Sequence, residues 1–374
     1  MKMINSLNSS PVLVVCGTGG VGKTTSSCAI AIAVAQEFDL KVLVLTIDPA
    51  KRLADVLTQQ DLSHKPTKIN IEKFIDGKCS GEVYAAMVDT KTGWDEIVNR
   101  YSKSEKDASR IFENKLYNNL TTRFSHSHDF VAMDQLYEHY RSGNYDFIVL
   151  DTPPSSQAFG FFDAPSAMAD FFGGRLVRLV TSPYRIGNGK AAKLFDLASQ
   201  PFFMLADKVL GKQFINDIGE FFFLFHTMYD DFVERSKSIT AFLTSDKVHA
   251  SLILNGDQII SKSYESMAKG LEKRNISLTN IIVNNIAFKH DDIQIKNYLD
   301  STPEKEQDKI FELIKRDYKT SLDVYEEMLA LTSSVQVREN IGYLGRITET
   351  NEVKRLKLLV ESVQKLAQID DTIK

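Results

Sequence analysis

The chain has 374 residues, 43% of them hydrophobic and 25% charged, with a formal net charge of −4, which describes an ordinary globular protein and argues against a nucleic-acid-binding surface as its main business. No apolar run reaches the roughly 18 residues that would cross a bilayer as a helix, and residues 1–10 lack the apolar core of an export signal, so neither an integral membrane protein nor an exported one is expected and the cytoplasm is the natural location. Its three cysteines, Cys16, Cys28 and Cys79, form no CxxC pair, which removes the framework of a structural zinc site.

Val12–Val15 is a short apolar run bounded by glycines, and it predicts a buried strand. Gly17 follows, then four residues, then Gly22, Lys23 and Thr24, which is the phosphate-loop pattern. Thr25–Gln36 contains neither Gly nor Pro and is rich in Ala and Ile, which suits a helix packed on a sheet. Strand, loop and helix thus come in the order the motif needs. Glycines let backbone N–H groups curl around an anion, and the helix N-terminus adds partial positive charge at the same point. In such a loop Lys23 reaches the β- and γ-phosphates of a nucleotide and the Thr24 hydroxyl holds Mg2+. Cys16 at the strand end and Cys28 in the helix are expected as small core residues.

Val42–Ile47 predicts the second strand, and it runs into Asp48. An acidic residue at the C-terminal end of a strand lies where α/β sheets bind ligands. After a polar connection a short strand is expected around Glu82–Val88. Trp94–Tyr140 is helical in pattern, with Phe130, Met133, Leu136, Tyr137 and Tyr140 on one stripe and Asp129 placed to cap the last helix. His126 and His128 have no third ligand near them, so they are expected as solvated loop histidines. The strand Asp146–Leu150 closes on Asp151. If that strand neighbours the first, Asp151 faces Thr24 as a magnesium-organising carboxylate.

Fifteen of the 23 phenylalanines fall between Gln157 and Lys247, where Ile215, Ile218, Phe222, Phe225 and Phe232 recur at helical spacing. This stretch predicts a helical subdomain inserted into the sheet. Its rings are either the core of helix-on-helix packing or an apolar surface for a hydrophobic client. Phe221, Phe222, Phe223 and Phe225 cannot all face inward on one helix, so some must find another helix, a second subunit or a client. The sheet resumes with Ala250–Leu254, a helix over Ile259–Leu271 and the strand Asn280–Val283, which ends in Asn284 and Asn285. Residues 289–330 are charged and helical, a short strand is expected at Val335–Val337, and a terminal helix at Val353–Leu366 carries Leu356, Leu359, Val363 and Leu366 on one face. That face suits packing on the sheet, while the adjacent Lys354, Arg355 and Lys357 also allow a membrane-surface role. The alternation predicts an α/β fold, a doubly wound and mostly parallel sheet of the phosphate-loop NTPase type with an inserted helical subdomain. The expected parts are a nucleotide-binding core at 1–156 (with a helical insertion at about 92–140) and 248–374, and a Phe-rich helical subdomain at 157–247.

Three segments together carry a resemblance. GTGGVGKTT at 17–25, TIDPAKRLAD at 46–55 and DTPPSSQAFGFFDAP at 151–165 resemble ATPases of the ArsA type. That family includes the arsenite-pump ATPase and the cytosolic ATPase that delivers tail-anchored membrane proteins. The chain is most similar to bacterial members known only as anion-transporting ATPases, with the MinD and ParA positioning ATPases as distant cousins. The resemblance implies ATP and Mg2+ as cofactors. It implies that Gly19, Gly20, Val21, Gly22, Lys23, Thr24 and Thr25 bind the phosphates, with Thr25 near the α-phosphate. Asp48 would orient or activate the attacking water and, with Thr24 and Asp151, surround the metal. Asp151 would open a second switch segment that reports the γ-phosphate to the helical insertion, and Asn284 would contact adenine. It further implies a homodimer with the two nucleotides facing each other, whose closure reshapes a hydrophobic surface for a polypeptide or membrane-protein client. A nucleotide-dependent positioning switch with no such client is the alternative.

Two departures stand out. The family's loop carries a lysine that reaches the partner's nucleotide, and here that position is Thr18. Lys51 or Arg52 is the candidate replacement for the missing charge. Metalloid binding needs soft thiolates, yet two of the three cysteines lie in the nucleotide core, so an arsenite-pump role is not expected. The paired cysteines that bridge the targeting dimer through zinc are also absent.

Overall fold

The strand that opens the chain's one glycine-rich motif becomes a central strand of the sheet, with every side chain buried. The computed structural model describes residues 10–48, 52–59, 62–123, 125–153, 159–173, 220–286, 341–345 and 352–365. In chain order the elements are β1 (Val12–Cys16), α1 (Lys23–Phe38), β2 (Lys41–Thr46), α2 (Arg52–Val56), β3 (Thr67–Ile69), β4 (Glu82–Met87), α3 (Thr90–Tyr101), α4 (Glu105–Glu113), α5 (Lys115–Arg123), α6 (Ser125–Ser142), β5 (Phe147–Asp151), α7 (Gly160–Gly173), α8 (220–226), α9 (Tyr229–Leu243), β6 (Val248–Leu254), α10 (Gly256–Ile260), α11 (Ser263–Glu272), β7 (Ser277–Ile286), β8 (Ile341–Gly345) and α12 (Glu352–Lys365). They fall into two units: Met1–Met87, Glu138–Phe159 and Thr244–Lys374 form the first, and Val88–Tyr137 with Gly160–Leu243 the second.

The first unit is built on one eight-stranded sheet in the order β3-β4-β2-β5-β1-β6-β7-β8. Every pairing is parallel except β3 with β4. Parallel strands buried on both faces read as unbroken apolar runs, and VLVVC and VLVLT do so because their residues are almost wholly enclosed. Successive connections step first to one side of β1 and later to the other, so the ends of β1, β2 and β5 meet where ligands bind in such sheets. The register aligns them, with Val15 and Thr46 both opposite Asp151.

Helix α1 is buried along most of its length and packs its Ala, Ile and Val residues with Leu356, Leu359, Val360 and Val363 of α12. The terminal helix therefore uses its apolar face internally, and Lys357 pairs with Asp76 at 2.6 Å. Among the sequence expectations, β3 is an addition, a three-residue antiparallel edge strand too short to leave a period of its own. The expected helix 259–271 is divided into α10 and α11 by Lys262, which takes a left-handed φ of 55°. β7 is longer than expected, and the last strand among the described residues is Ile341–Gly345. The expected strand 335–337 and helical stretch 289–330 lie outside the described residues. Phe159, half-buried, covers α11 at Gly270, where a Cβ would come within 2.7 Å of the ring. Arg274 donates to the Gly270 carbonyl at 2.9 Å and lies over the same ring.

The second unit is organised by aromatic packing. The single tryptophan of the chain, Trp94, is fully buried among Phe130, Phe172, Phe225 and Phe232. Its indole N–H donates to Ser127, as a buried Trp requires. Phe221 and Phe222 also pack against Phe172 of α7 and are buried, so adjacent positions on α8 both reach inside, while Phe225 meets Phe232 of α9. Among the described residues of this unit only Phe171 is a markedly exposed large apolar side chain, at 37%. Phe195, Phe202, Phe203 and Phe214, with Ile215 and Ile218, lie outside the described residues. The expected helical run of 94–140 is four helices, started by caps at Asp89 and Ser104. Asp129 lies inside α6 and not at its start, because the helix runs from Ser125.

One buried ion pair joins α6 to α9 in this unit. Arg235 Nε donates to Asp134 at 2.6 Å, with both side chains about 95% enclosed, and Arg100 approaches the other carboxylate oxygen at 3.4 Å. Removing one member of such a pair takes away much of the compensation for the other buried charge. Arg235→Ala is expected to destabilise this unit by about 3–5 kcal/mol, read from urea unfolding followed by the fluorescence of Trp94. Arg235→Met combined with Asp134→Leu should recover most of that loss.

Candidate functional site

The loop after β1 is shaped by close approaches that only glycine permits. A Cβ on Gly17 would lie 2.4 Å from the carbonyl oxygen of Ile253 at the end of β6. Gly22 is the N-cap of α1 with a left-handed φ of 90°, and a Cβ there would meet the Asn284 amide at 2.4 Å. That amide donates from Nδ2 to the Val21 carbonyl at 2.9 Å, so β7 holds the loop from one side. Gly19 and Gly20 are exposed, Val21 is buried, and Thr25 is half-buried in the first turn of α1.

Lys23 is the first residue of α1 and only 6% exposed. Its Nζ donates to the Thr18 carbonyl at 2.8 Å. Burial lowers the Lys23 pKa, while the nearby Asp151 carboxylate acts in the opposite direction. Asp151 ends β5 and is fully buried. Thr24 donates to its Oδ2 at 2.8 Å, Thr46 donates to the same oxygen at 3.0 Å, and Ser27 approaches Oδ1 at 3.4 Å. Burial pushes the carboxyl up to about 6 against the pull of the Thr24 and Thr46 hydroxyls and of Lys23. Thr152, the next residue, donates to the Val15 carbonyl at 2.8 Å and fastens the start of the following segment to β1.

Asp48 follows β2 and is 8% exposed. Its N–H donates to the Thr46 hydroxyl at 3.2 Å, and its carboxylate pairs with Arg52 at 3.5 Å. Lys51 lies outside the described residues. The structure thus brings Lys23, Thr24, Asp48 and Asp151 together at the ends of three neighbouring strands, and Asn284 lies on the loop itself. Thr46 and Ser27, which share the Asp151 carboxylate, were not singled out by sequence, though a hydroxyl opposite Asp151 in register is the signal that finds Thr46. Cys16, buried beneath the loop, has its thiol pushed up to about 12 by burial and is no nucleophile.

A hydroxyl and a carboxylate converging beside a lysine form a hard-oxygen donor set of the kind that suits Mg2+ together with phosphate oxygens. Among the described residues no three His, Cys, Asp or Glu side chains form a metal site by themselves, and no helix is long and apolar enough to cross a membrane.

A parallel doubly wound sheet with a glycine loop and lysine at the first helix defines a phosphate-loop NTPase fold. Residues 10–331 match the family described as anion-transporting ATPase, and the chain belongs to that family. It is similar to the ATPase ASNA1 homolog of Cryptosporidium parvum, 30% identical over 168 residues covering 45% of this chain and 42% of that protein. The ATPase ASNA1 homolog of Plasmodium falciparum is 25% identical over 282 residues, 73% of this chain and 62% of its own length. ATPase GET3 of Mycosarcoma maydis is 28% identical over 156 residues, 42% of each chain. The chain thus spans less than two thirds of the length of each of these relatives.

The two demands on Gly22 predict a separable cost. Gly22→Ala is expected to destabilise the nucleotide-free protein by about 1–3 kcal/mol through its left-handed backbone and the collision with Asn284. Of those two demands Asn284→Ala relieves only the collision, and it also gives up the hydrogen bond to the Val21 carbonyl. Thermal unfolding of the double variant should therefore show a loss smaller than the sum of the two single losses.

Proposed function

We propose that the protein is a cytosolic Mg2+-dependent ATPase in which ATP binding and hydrolysis at a homodimer interface drive a change in the helical unit. The observation that carries this reading is the convergence of the Thr24 and Thr46 hydroxyls on the buried Asp151 carboxylate, next to Lys23. In it the backbone of Gly19–Thr25 cradles the phosphates, and Lys23 exchanges its bond to the Thr18 carbonyl for the β- and γ-phosphates. Thr24, Asp48 and Asp151 hold the magnesium site, and the ion when bound neutralises charge on the phosphate oxygens. Asp48 orients the attacking water. Its pairing with Arg52, whose side chain is 58% exposed, is weak enough to be released. Asn284, whose NH2 group holds the Val21 carbonyl, is the residue this reading assigns to contact with adenine.

A hydrophobic polypeptide or membrane-protein client is the partner this reading assigns to the helical unit. A second reading is a nucleotide-dependent positioning switch without such a client. The specific observation favouring it is that most described rings of the second unit are enclosed in its own core.

Lys23→Ala should lose Mg-ATP binding. Asp48→Asn should bind it but turn over roughly 100-fold slower or worse, with light scattering showing an ATP-driven dimer in wild type and variant alike. A wild type that stays monomeric and hydrolyses nothing overturns the proposal. Nucleotide-dependent binding of a tail-anchor peptide separates the two readings.

Without a lysine at position 18, the charge facing the phosphates falls to Lys51 or Arg52. Steady-state turnover in Lys51→Ala and Arg52→Ala tests this assignment. At least one should fall by an order of magnitude or more, and unchanged rates in both refute it.

A further inference from the structure

The end of β6, where the Ile253 carbonyl oxygen would lie 2.4 Å from a Cβ on Gly17, leads into the turn before α10. Its first residue, Asn255, caps α10 with Gln258 in a reciprocal box. The Gln258 N–H donates to Asn255 Oδ1 at 3.1 Å, and the Asn255 N–H donates to Gln258 Oε1 at 3.0 Å. With its Oε1 held, the Gln258 side chain has a fixed orientation, and its Nε2 donates to the Thr18 hydroxyl at 2.8 Å. Thr18 in turn accepts Lys23 Nζ on its carbonyl oxygen. Four residues thus form one chain of hydrogen bonds from a helix cap to the phosphate-binding lysine.

We propose that Gln258 is a positioning residue of the phosphate loop: clamped by Asn255, it holds Thr18 and through it sets where Lys23 stands. A neutral amide–hydroxyl pair supplied by the same chain occupies the place where the resembling loops carry a lysine. The proposal rests on reading residues 17–25 as the phosphate loop, and part of its test does not depend on nucleotide.

Gln258→Ala removes both the acceptor for the Asn255 N–H and the N–H given to Thr18. Thr18→Val removes the hydroxyl and retains the carbonyl that Lys23 uses. In amide hydrogen exchange of the nucleotide-free protein, Gln258→Ala and Thr18→Val should each speed exchange across residues 17–23 about fivefold, the size of one neutral hydrogen bond. Gln258→Ala should also loosen the turn at 255–258, and Thr18→Val should not. The Thr18→Val, Gln258→Ala double variant should exchange no faster across residues 17–23 than Gln258→Ala alone, since both cut one link. With Mg-ATP, Thr18→Val should raise KM several-fold with kcat changed less, because the lysine is misplaced before binding and not removed.

Wild-type exchange across residues 17–23 in Gln258→Ala and Thr18→Val overturns the proposal, even if the protein hydrolyses ATP normally. A wild type that binds no Mg-ATP but whose variants show the expected exchange pattern supports the positioning role and sinks the ATPase reading alone.

Discussion

A carboxylate fully enclosed by the sheet is the constraint on which the first unit depends. An isolated charge in that position would be prohibitive, and Asp151 is tolerated because Thr24, Thr46 and Ser27 direct hydroxyls at it and Lys23 stands close. Those partners come from α1, which follows β1, and from β2. They meet only if β5 lies between β1 and β2, which is the order the sheet adopts. The fold is thus tied to its site: a sheet with another strand order would bury the same aspartate without its donors.

Much of the first unit could be read from the chain because its signals are local and redundant. β1, β2 and β5 are apolar runs whose ends carry Gly17, Asp48 and Asp151, and each signal supports the others. What escaped was encoded between elements. Thr46 and Ser27 look like ordinary strand and helix residues until register and helical phase aim them at Asp151. Gln258 belongs to a helix of one turn, and its partner Thr18 is 240 residues earlier in the chain. β3 has too few residues to show alternation, and only its pairing with β4 makes it a strand. The split between α10 and α11 turns on the backbone of Lys262, a residue type with no preference for φ > 0.

The second unit posed a different problem. A cluster of phenylalanines states that apolar surface must be covered, but leaves open what covers it. Three-dimensional packing resolves this for the described rings: Phe172 alone touches Trp94, Phe221, Phe222, Phe225 and Phe232, so the rings satisfy one another. Helical periodicity on one segment cannot anticipate that, because the partners arrive from three others. The buried Arg235–Asp134 pair adds a polar fixed point to an otherwise interchangeable set of rings.

Phe159 and Thr152 bracket the segment that follows Asp151, and both are fastened to the same unit. Thr152 is tied to β1 by its hydroxyl, and Phe159 is seated on the bare backbone of α11 at Gly270 beneath Arg274. The glycine on α11 is thus less a gap in a helix than a seat for that ring: a side chain at position 270 would evict Phe159 and separate it from Arg274.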